Sequence, residues 1–165
     1  MSSLLILGAG QYSRIVYEIA LENGVYDKIS FLDDTNENAI GKLRDAGKFT
    51  DEYTDAVVAM GNCELRLKLL EELEELGYNI PVIISPLSHV SPSAKIGKGT
   101  VIEPMAVVNP NAVIGKGCLI CAGAIINHDS IVGDSCHINC NAVINSNAAL
   151  KKFSRLNCCC VLNRE

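Results

Sequence analysis

A chain of 165 residues, 48% of them apolar, is long enough for one ordinary domain or two small ones and can bury a core. Its net charge of −5 offers no basic surface for nucleic acid or anionic lipid. No stretch reaches the roughly 18 apolar residues that cross a bilayer, so membrane insertion is not expected.

The opening MSSLLILGAG has no basic n-region and a short apolar run broken by glycine. It reads as a first strand rather than a signal peptide, and a soluble, cytoplasmic protein is the expectation. YSRIVYEIALENG follows, with Ile15, Val16, Ile19 and Ala20 at helical spacing and a stop at Gly24. KISFLDD is a second strand and DAVVAMGN a third. CELRLKLLEELEELGYN predicts an amphipathic helix with Leu65, Leu69, Leu73 and Leu76 on one side, its glutamates forming a solvated face. IPVIIS supplies a fourth strand. Strands alternating with helices argue for an α/β domain over residues 1–84 with a mainly parallel sheet.

From Val90 the period becomes six. The hexads VSPSAK, IGKGTV, IEPMAV, VNPNAV, IGKGCL, ICAGAI, INHDSI, VGDSCH, INCNAV, INSNAA, LKKFSR and LNCCCV each begin with Val, Ile or Leu. Each also carries Ala, Ser, Thr or Cys fifth. Such a repeat over residues 85–165 specifies a parallel β-helix, a prism of short strands that turns a corner at every hexad. The aliphatic residue fills the interior, and three hexads make one coil. Coils stack at about 4.8 Å, so Asn109, Asn127 and Asn145 form a column, as do Cys118 with Cys136 and Cys140 with Cys158. Of eight cysteines, seven lie after position 117. In a reducing compartment they are packed thiols. Cys118-x-x-Cys121 is half a zinc knuckle without a second half, so no metal is expected.

The loop GAGQYSR after the first strand brings backbone N–H groups of Gly8, Ala9 and Gly10 toward any phosphate at the helix start. The third glycine of a dinucleotide fingerprint is absent, and a domain this short makes only one mononucleotide-binding half. A nucleoside diphosphate therefore suits the site better than NAD, with Asp33 and Asp34 placed for ribose or uracil. Ordinary turn glycines at a helix start are the alternative.

The pieces LGAG, FLDD, GN followed by an LR helix, VSPSAKIGKGTVI and NHDSIVGDSCHI resemble a known family. It is that of the sialic acid O-acetyltransferases and UDP-4-amino-sugar N-acetyltransferases, and the likeness runs over residues 3–145. The resemblance implies a Rossmann-like, nucleotide-sugar-binding domain followed by a left-handed β-helix. It also implies a homotrimer with acetyl-CoA in grooves between neighbouring β-helices. The family's general base matches His128, followed by Asp129, and its second histidine, near the acetyl donor, matches His137. The chemistry agrees: a neutral imidazole can take the proton that the acceptor loses, and a neighbouring carboxylate can hold the ring. His128 is third in its hexad, outside the core, which a plain surface histidine would share. Asn127 or coil amides are placed to stabilise the thioester oxyanion. His89 reads as a linker residue. Tyr12 stands where the family carries a histidine, and the closing LKKFSRLNCCCVLNRE lacks the family's further coils. Acetylation of a nucleotide-activated amino sugar or related surface-glycan sugar is thus the expectation. The alternative is a nucleotide-sugar-binding scaffold whose donor groove is incomplete.

Overall fold

The structure, a computed structural model, describes residues 2–164. It divides into two compact units, one ending at Pro81 and the other starting at Val82.

In the first unit, β1 (Ser2–Leu7), β2 (Tyr26–Leu32) and β3 (Asp55–Val58) form a parallel sheet in the order β2-β1-β3. The central strand β1 is buried from Ser3 to Leu7, as its unbroken apolar run requires. Helix α1 (Gln11–Glu22) buries Ser13, Val16, Ile19 and Ala20, and Gly24 leaves it at φ +65°. Helix α2 (Cys63–Glu75) starts on Asn62, whose side chain accepts the Leu65 N–H at 3.0 Å. Its buried face differs from the one expected: Arg66, Leu69, Leu70 and Leu73 are inside, while Leu65 and Leu76 are exposed. Positions 66, 69, 70 and 73 follow the i, i+3, i+4, i+7 spacing of a helix stripe. The buried Arg66 guanidinium donates to the Met60 carbonyl at 2.6 Å.

IPVIIS is not a fourth strand of this sheet. Its β4 (Ile83–Ile84) pairs with β7 (Val101–Ile102), one coil further on. The segment ISPLSH, with Ile first and Ser fifth, already obeys the hexad rule, so the repeat begins one hexad before Val90. His89 likewise lies in a strand, β5 (His89–Val90), paired with β8 (Val107–Val108), rather than in a linker.

The second unit repeats this pairing through β6 (Lys95–Ile96), β9 (Val113–Ile114), β10 (Leu119–Ile120), β11 (Ile125–Ile126), β12 (Ile131–Val132), β13 (His137–Ile138), β14 (Val143–Ile144), β15 (Ala149–Leu150), β16 (Arg155–Leu156) and β17 (Val161–Leu162). Parallel sheets of five, five and four strands result, each strand pairing with its counterpart one coil away. This architecture fits a left-handed β-helix with hexapeptide repeats. The first and fifth hexad residues form one interior, including Ile102, Ala106, Ile120, Ala124, Ile126 and Ile138. Burying an aliphatic side chain of this size contributes about 1.5–3 kcal/mol. Every sixth residue from Gly99 to Cys159 turns the corner with φ between +52° and +70°. Asn and Gly tolerate that region, and Asn or Gly fills six of these positions.

All eight cysteines are free thiols. Cys118 and Cys136 occupy the small-residue position and give their S–H groups to the carbonyls of Gly133 (3.2 Å) and Lys151 (3.0 Å). No helix among the described residues is long and apolar enough to cross a membrane.

Candidate active site

The hexad INHDSI places Ile126 in the interior and turns its next residues outward. His128 is exposed, and Asp129 takes the corner conformation at φ +58°. The corner brings the two side chains together: His128 Nδ1 lies 2.8 Å from Asp129 Oδ2. A carboxylate accepts only, so Nδ1 carries a proton, and in the neutral ring Nε2 keeps its lone pair. The other carboxylate oxygen, Oδ1, accepts from Asn111 Nδ2 at 3.1 Å, one coil earlier. The bond from His128 first, and that from Asn111 second, hold the Asp129 carboxyl below its usual range. It remains an anion facing the ring.

Asn127 belongs to the asparagine column. Asn109 Nδ2 donates to Asn127 Oδ1 at 3.1 Å, and Asn145 Nδ2 donates to Asn163 Oδ1 at 2.7 Å. This engages the oxygen end of the Asn127 amide in the stack. His137 is buried at 6% exposure. Arg155 Nη2 lies 3.2 Å from its Nδ1, and Cys121 Sγ lies 3.3 Å from its Nε2. Because a guanidinium only donates, Nδ1 accepts, and the neutral ring carries its proton on Nε2 toward the sulfur. Burial pushes the Cys121 thiol up from its ordinary range, so it stays protonated. Cys121, which the sequence offers only as half a zinc knuckle, is a neighbour of His137. Asn111 and Arg155 carry no local signal, yet stepping one coil back from Asp129 finds Asn111, and one coil on from His137 finds Arg155.

The first unit carries a cleft of about 360 Å³ lined by Gly8, Gly10, Tyr12, Asp33, Met60 and Asn62. Gly8 sits at φ +101°, where an added Cβ would lie 3.0 Å from the Ala59 carbonyl oxygen. Gly10 caps α1 without any side-chain bond, and Gln11 and Tyr12 of the first turn line the same cleft. Asp33 organises this loop. Its Oδ2 accepts from Ala9 N at 2.8 Å, while Oδ1 accepts from Thr35 N, Thr35 Oγ1 and Asn36 N. Asn36 Nδ2 returns a bond to the Ala9 carbonyl at 2.7 Å. Ala9 is therefore held at both of its peptide groups. Asp34 lies apart, with Lys42, Arg44 and Glu72 around a separate cavity of about 440 Å³. Its Oδ1 accepts from Leu43 N at 3.2 Å.

Backbone bonds, those from Ala9 and Thr35 foremost, lower the Asp33 pKa to about 2. A depressed carboxyl stabilises the fold above its unfolded pKa near 3.9, and that contribution disappears as pH falls through about 2. We therefore expect the Ala9, Thr35 and Asn36 amides to lose hydrogen-exchange protection between about pH 4 and pH 2. Asp33→Ala should release the same three amides at neutral pH. Unchanged protection in that variant would remove Asp33 as the loop's organiser.

Residues 3–73 match the PglD N-terminal domain family, and residues 111–162 match the bacterial transferase hexapeptide family of six repeats. No curated protein matches the chain by sequence. Among solved structures, the acetyltransferase domain of PglB from Neisseria gonorrhoeae is 30% identical, with a TM-score of 0.95. That match covers 99% of this chain and 83% of that one. The same domain in complex with acetyl coenzyme A is 32% identical, with a TM-score of 0.94, covering 98% and 82%. A histidine-to-alanine mutant of GDP-perosamine N-acetyl transferase from Caulobacter crescentus, in complex with CoA and GDP-perosamine, shares the fold. Its TM-score is 0.76 at 18% identity, covering 98% and 91%. A relative of 30% identity spanning both units settles the family: the chain belongs to the hexapeptide-repeat sugar acetyltransferases and is an acyltransferase.

Proposed function

We propose that the chain transfers the acetyl group of acetyl-CoA to the amine of a nucleotide-activated amino sugar, or to a related surface-glycan sugar. The observation that carries the mechanism is the exposed His128–Asp129 pair, 2.8 Å apart, with Nε2 left to accept a proton. As the acceptor attacks the thioester carbonyl, a new N–C or O–C bond forms and the C–S bond breaks. The acceptor's proton moves to His128 Nε2 and then to the departing CoA thiolate. Asp129 stabilises the imidazolium in between.

The nucleotide sits in the cleft of a Rossmann-like first domain, with its phosphates at the start of α1 beside Gly8 and Gly10. Asp33 acts there through the loop it holds, and Asp34 remains for the ribose or base. The related domain solved with acetyl coenzyme A supports the co-substrate. On the donor side we place Asn127 and His137, with the exposed Arg155 guanidinium beside His137 suited to the phosphates of CoA. The active form is a homotrimer. Val113 and Ile131, exposed neighbours on one outer face, supply apolar surface for another copy. Acyl-CoA and activated sugars are cytoplasmic metabolites, so the reaction is placed in the cytoplasm.

The test is transfer from acetyl-CoA to a panel of UDP- and GDP-amino sugars and to sialic acid. Products should be followed by mass, because the protein's own thiols interfere with thiol-release assays. A product heavier than one panel member by a single acetyl group, formed by a species three times the chain mass, is the expected result. Tight nucleotide-sugar binding with no acetyl-CoA binding would overturn it and favour a scaffold.

A further inference from the structure

Asp129 and His128 are adjacent in sequence, exposed, and free on one side to rotate away from each other. An exposed ion pair of this kind has little power to hold its own geometry, because each side chain must give up rotamer freedom to form it. Something outside the pair must fix the carboxylate, and the coil beneath supplies it. Asn111 lies one coil before Asp129 and turns its own corner at φ +60°. Its Nδ2 reaches Asp129 Oδ1 at 3.1 Å, and its backbone N–H is anchored on Ser93 Oγ at 3.1 Å, a further coil away. Asp129 N in turn donates to the Pro110 carbonyl at 3.1 Å, tying the two corners together through the backbone.

The carboxylate is thus divided, one oxygen on the amide below and one on the imidazole beside it. An Asn amide facing a carboxylate must present its nitrogen, since its oxygen would meet another acceptor. Tolerance of the corner conformation alone does not require this pair: Met, Ser, Phe and Cys occupy equivalent corners at Met105, Ser135, Phe153 and Cys159. Among the described corners, Asp129 is the one acidic residue, and Asn111 is its partner in the stack.

We infer that Asn111 is a positioning residue for the transfer reaction: its amide holds the Asp129 carboxylate so that His128 keeps the Nδ1–H tautomer and presents Nε2 to the acceptor. The inference rests on the reading of His128 as the base. It adds a residue that touches neither substrate nor the ring and acts through Asp129.

The test uses Asn111→Gly in the full chain, because glycine accepts the corner φ without strain and removes only the side chain. The three histidine rings are resolved by ¹⁵N NMR and assigned by single His→Gln variants. In the wild type, the His128 ring is expected to be protonated on Nδ1. In Asn111→Gly, its signals move toward a mixture containing Nε2–H. On whichever sugar of the panel accepts the acetyl group, kcat falls about tenfold, a fraction of the ~10²–10⁴-fold that a positioned base contributes, while both KM values stay within about twofold. In an Asp129→Asn background, Asn111→Gly causes no further loss, as expected of residues acting as one unit. Asn111→Asp keeps the shape without the donor and shows the same tautomer shift, which covers any folding defect of the glycine variant. An unchanged ring tautomer overturns the inference. So does an equal further loss in the Asp129→Asn background, or a change confined to KM. Full activity in His128→Ala would instead sink the base reading, and the ring signals would still decide whether Asn111 holds Asp129.

Discussion

His128→Ala is expected to lower kcat by roughly 10²–10⁴-fold, the usual contribution of a positioned general base, with little change in either KM. The side chain is 56% exposed and outside the β-helix interior, so its removal leaves no cavity and the melting temperature should hold. The loss comes from the proton. Without Nε2, an amine must attack while shedding its proton to water, and the tetrahedral intermediate returns to reactants more often than it expels CoA. Added imidazole should restore part of the rate, because the vacated space opens to solvent beside Asp129. Steady-state rates with and without imidazole test this. A kcat within threefold of wild type would remove His128 as the base and leave Asp129 and Asn111 as ordinary corner residues.

The largest effect on stability is expected from a residue with no chemistry. Gly97, Gly115 and Gly133 stand in one column, a coil apart, at the second hexad position, directly after the strands of the four-stranded sheet. A Cβ on Gly97 would lie 2.4 Å from the carbonyl carbon of Gly115 and 2.5 Å from the Lys116 nitrogen. Both are backbone atoms of the next coil and cannot rotate away. The coils would have to separate, weakening bonds such as Gly97 N to Ile114 O at 2.7 Å. Gly97→Ala should therefore cost about 3 kcal/mol, at the upper end of overpacking in a close-packed interior. Gly61→Ala is the control. Nothing lies within 4 Å of its Cβ, and a cost within about 0.5 kcal/mol is expected. Urea unfolding at one fixed protein concentration compares the two, since assembly into the proposed trimer would make the midpoint concentration-dependent. Equal midpoints would show that the coils yield without cost.

The period of six was legible from Val90 onward because the interior imposes one rule on each of two hexad positions, the first and the fifth. Interior positions accept Val, Ile or Leu, and tight positions accept Ala, Ser, Thr or Cys. The same rule extends to ISPLSH, but the apolar run IPVIIS imitates a buried strand of the α/β sheet, and only pairing with Val101–Ile102 assigns it. The face of α2 was misread for a related reason. Leu65, Leu69, Leu73 and Leu76 look like a stripe, yet burial of Arg66 and Leu70 shows that the neighbouring stripe is the one that packs.

The site divides along the same line. Sequence alone picked out His128 and Asp129 as neighbours on an outward turn, and Gly8 and Gly10 at a strand-to-helix turn, because both features are local. Backbone periodicity and glycine's tolerance of unusual φ write them into a few consecutive residues. Tertiary structure decided which oxygen of Asp129 meets the ring, that Asn111 holds the other, that His137 is buried between Cys121 and Arg155, and that Asp33 and Asp34 face different cavities. Those facts depend on side-chain directions between coils and across loops. They are set by distances of about 3 Å, where a single rotamer change makes or breaks the bond, and no spacing along the chain records them.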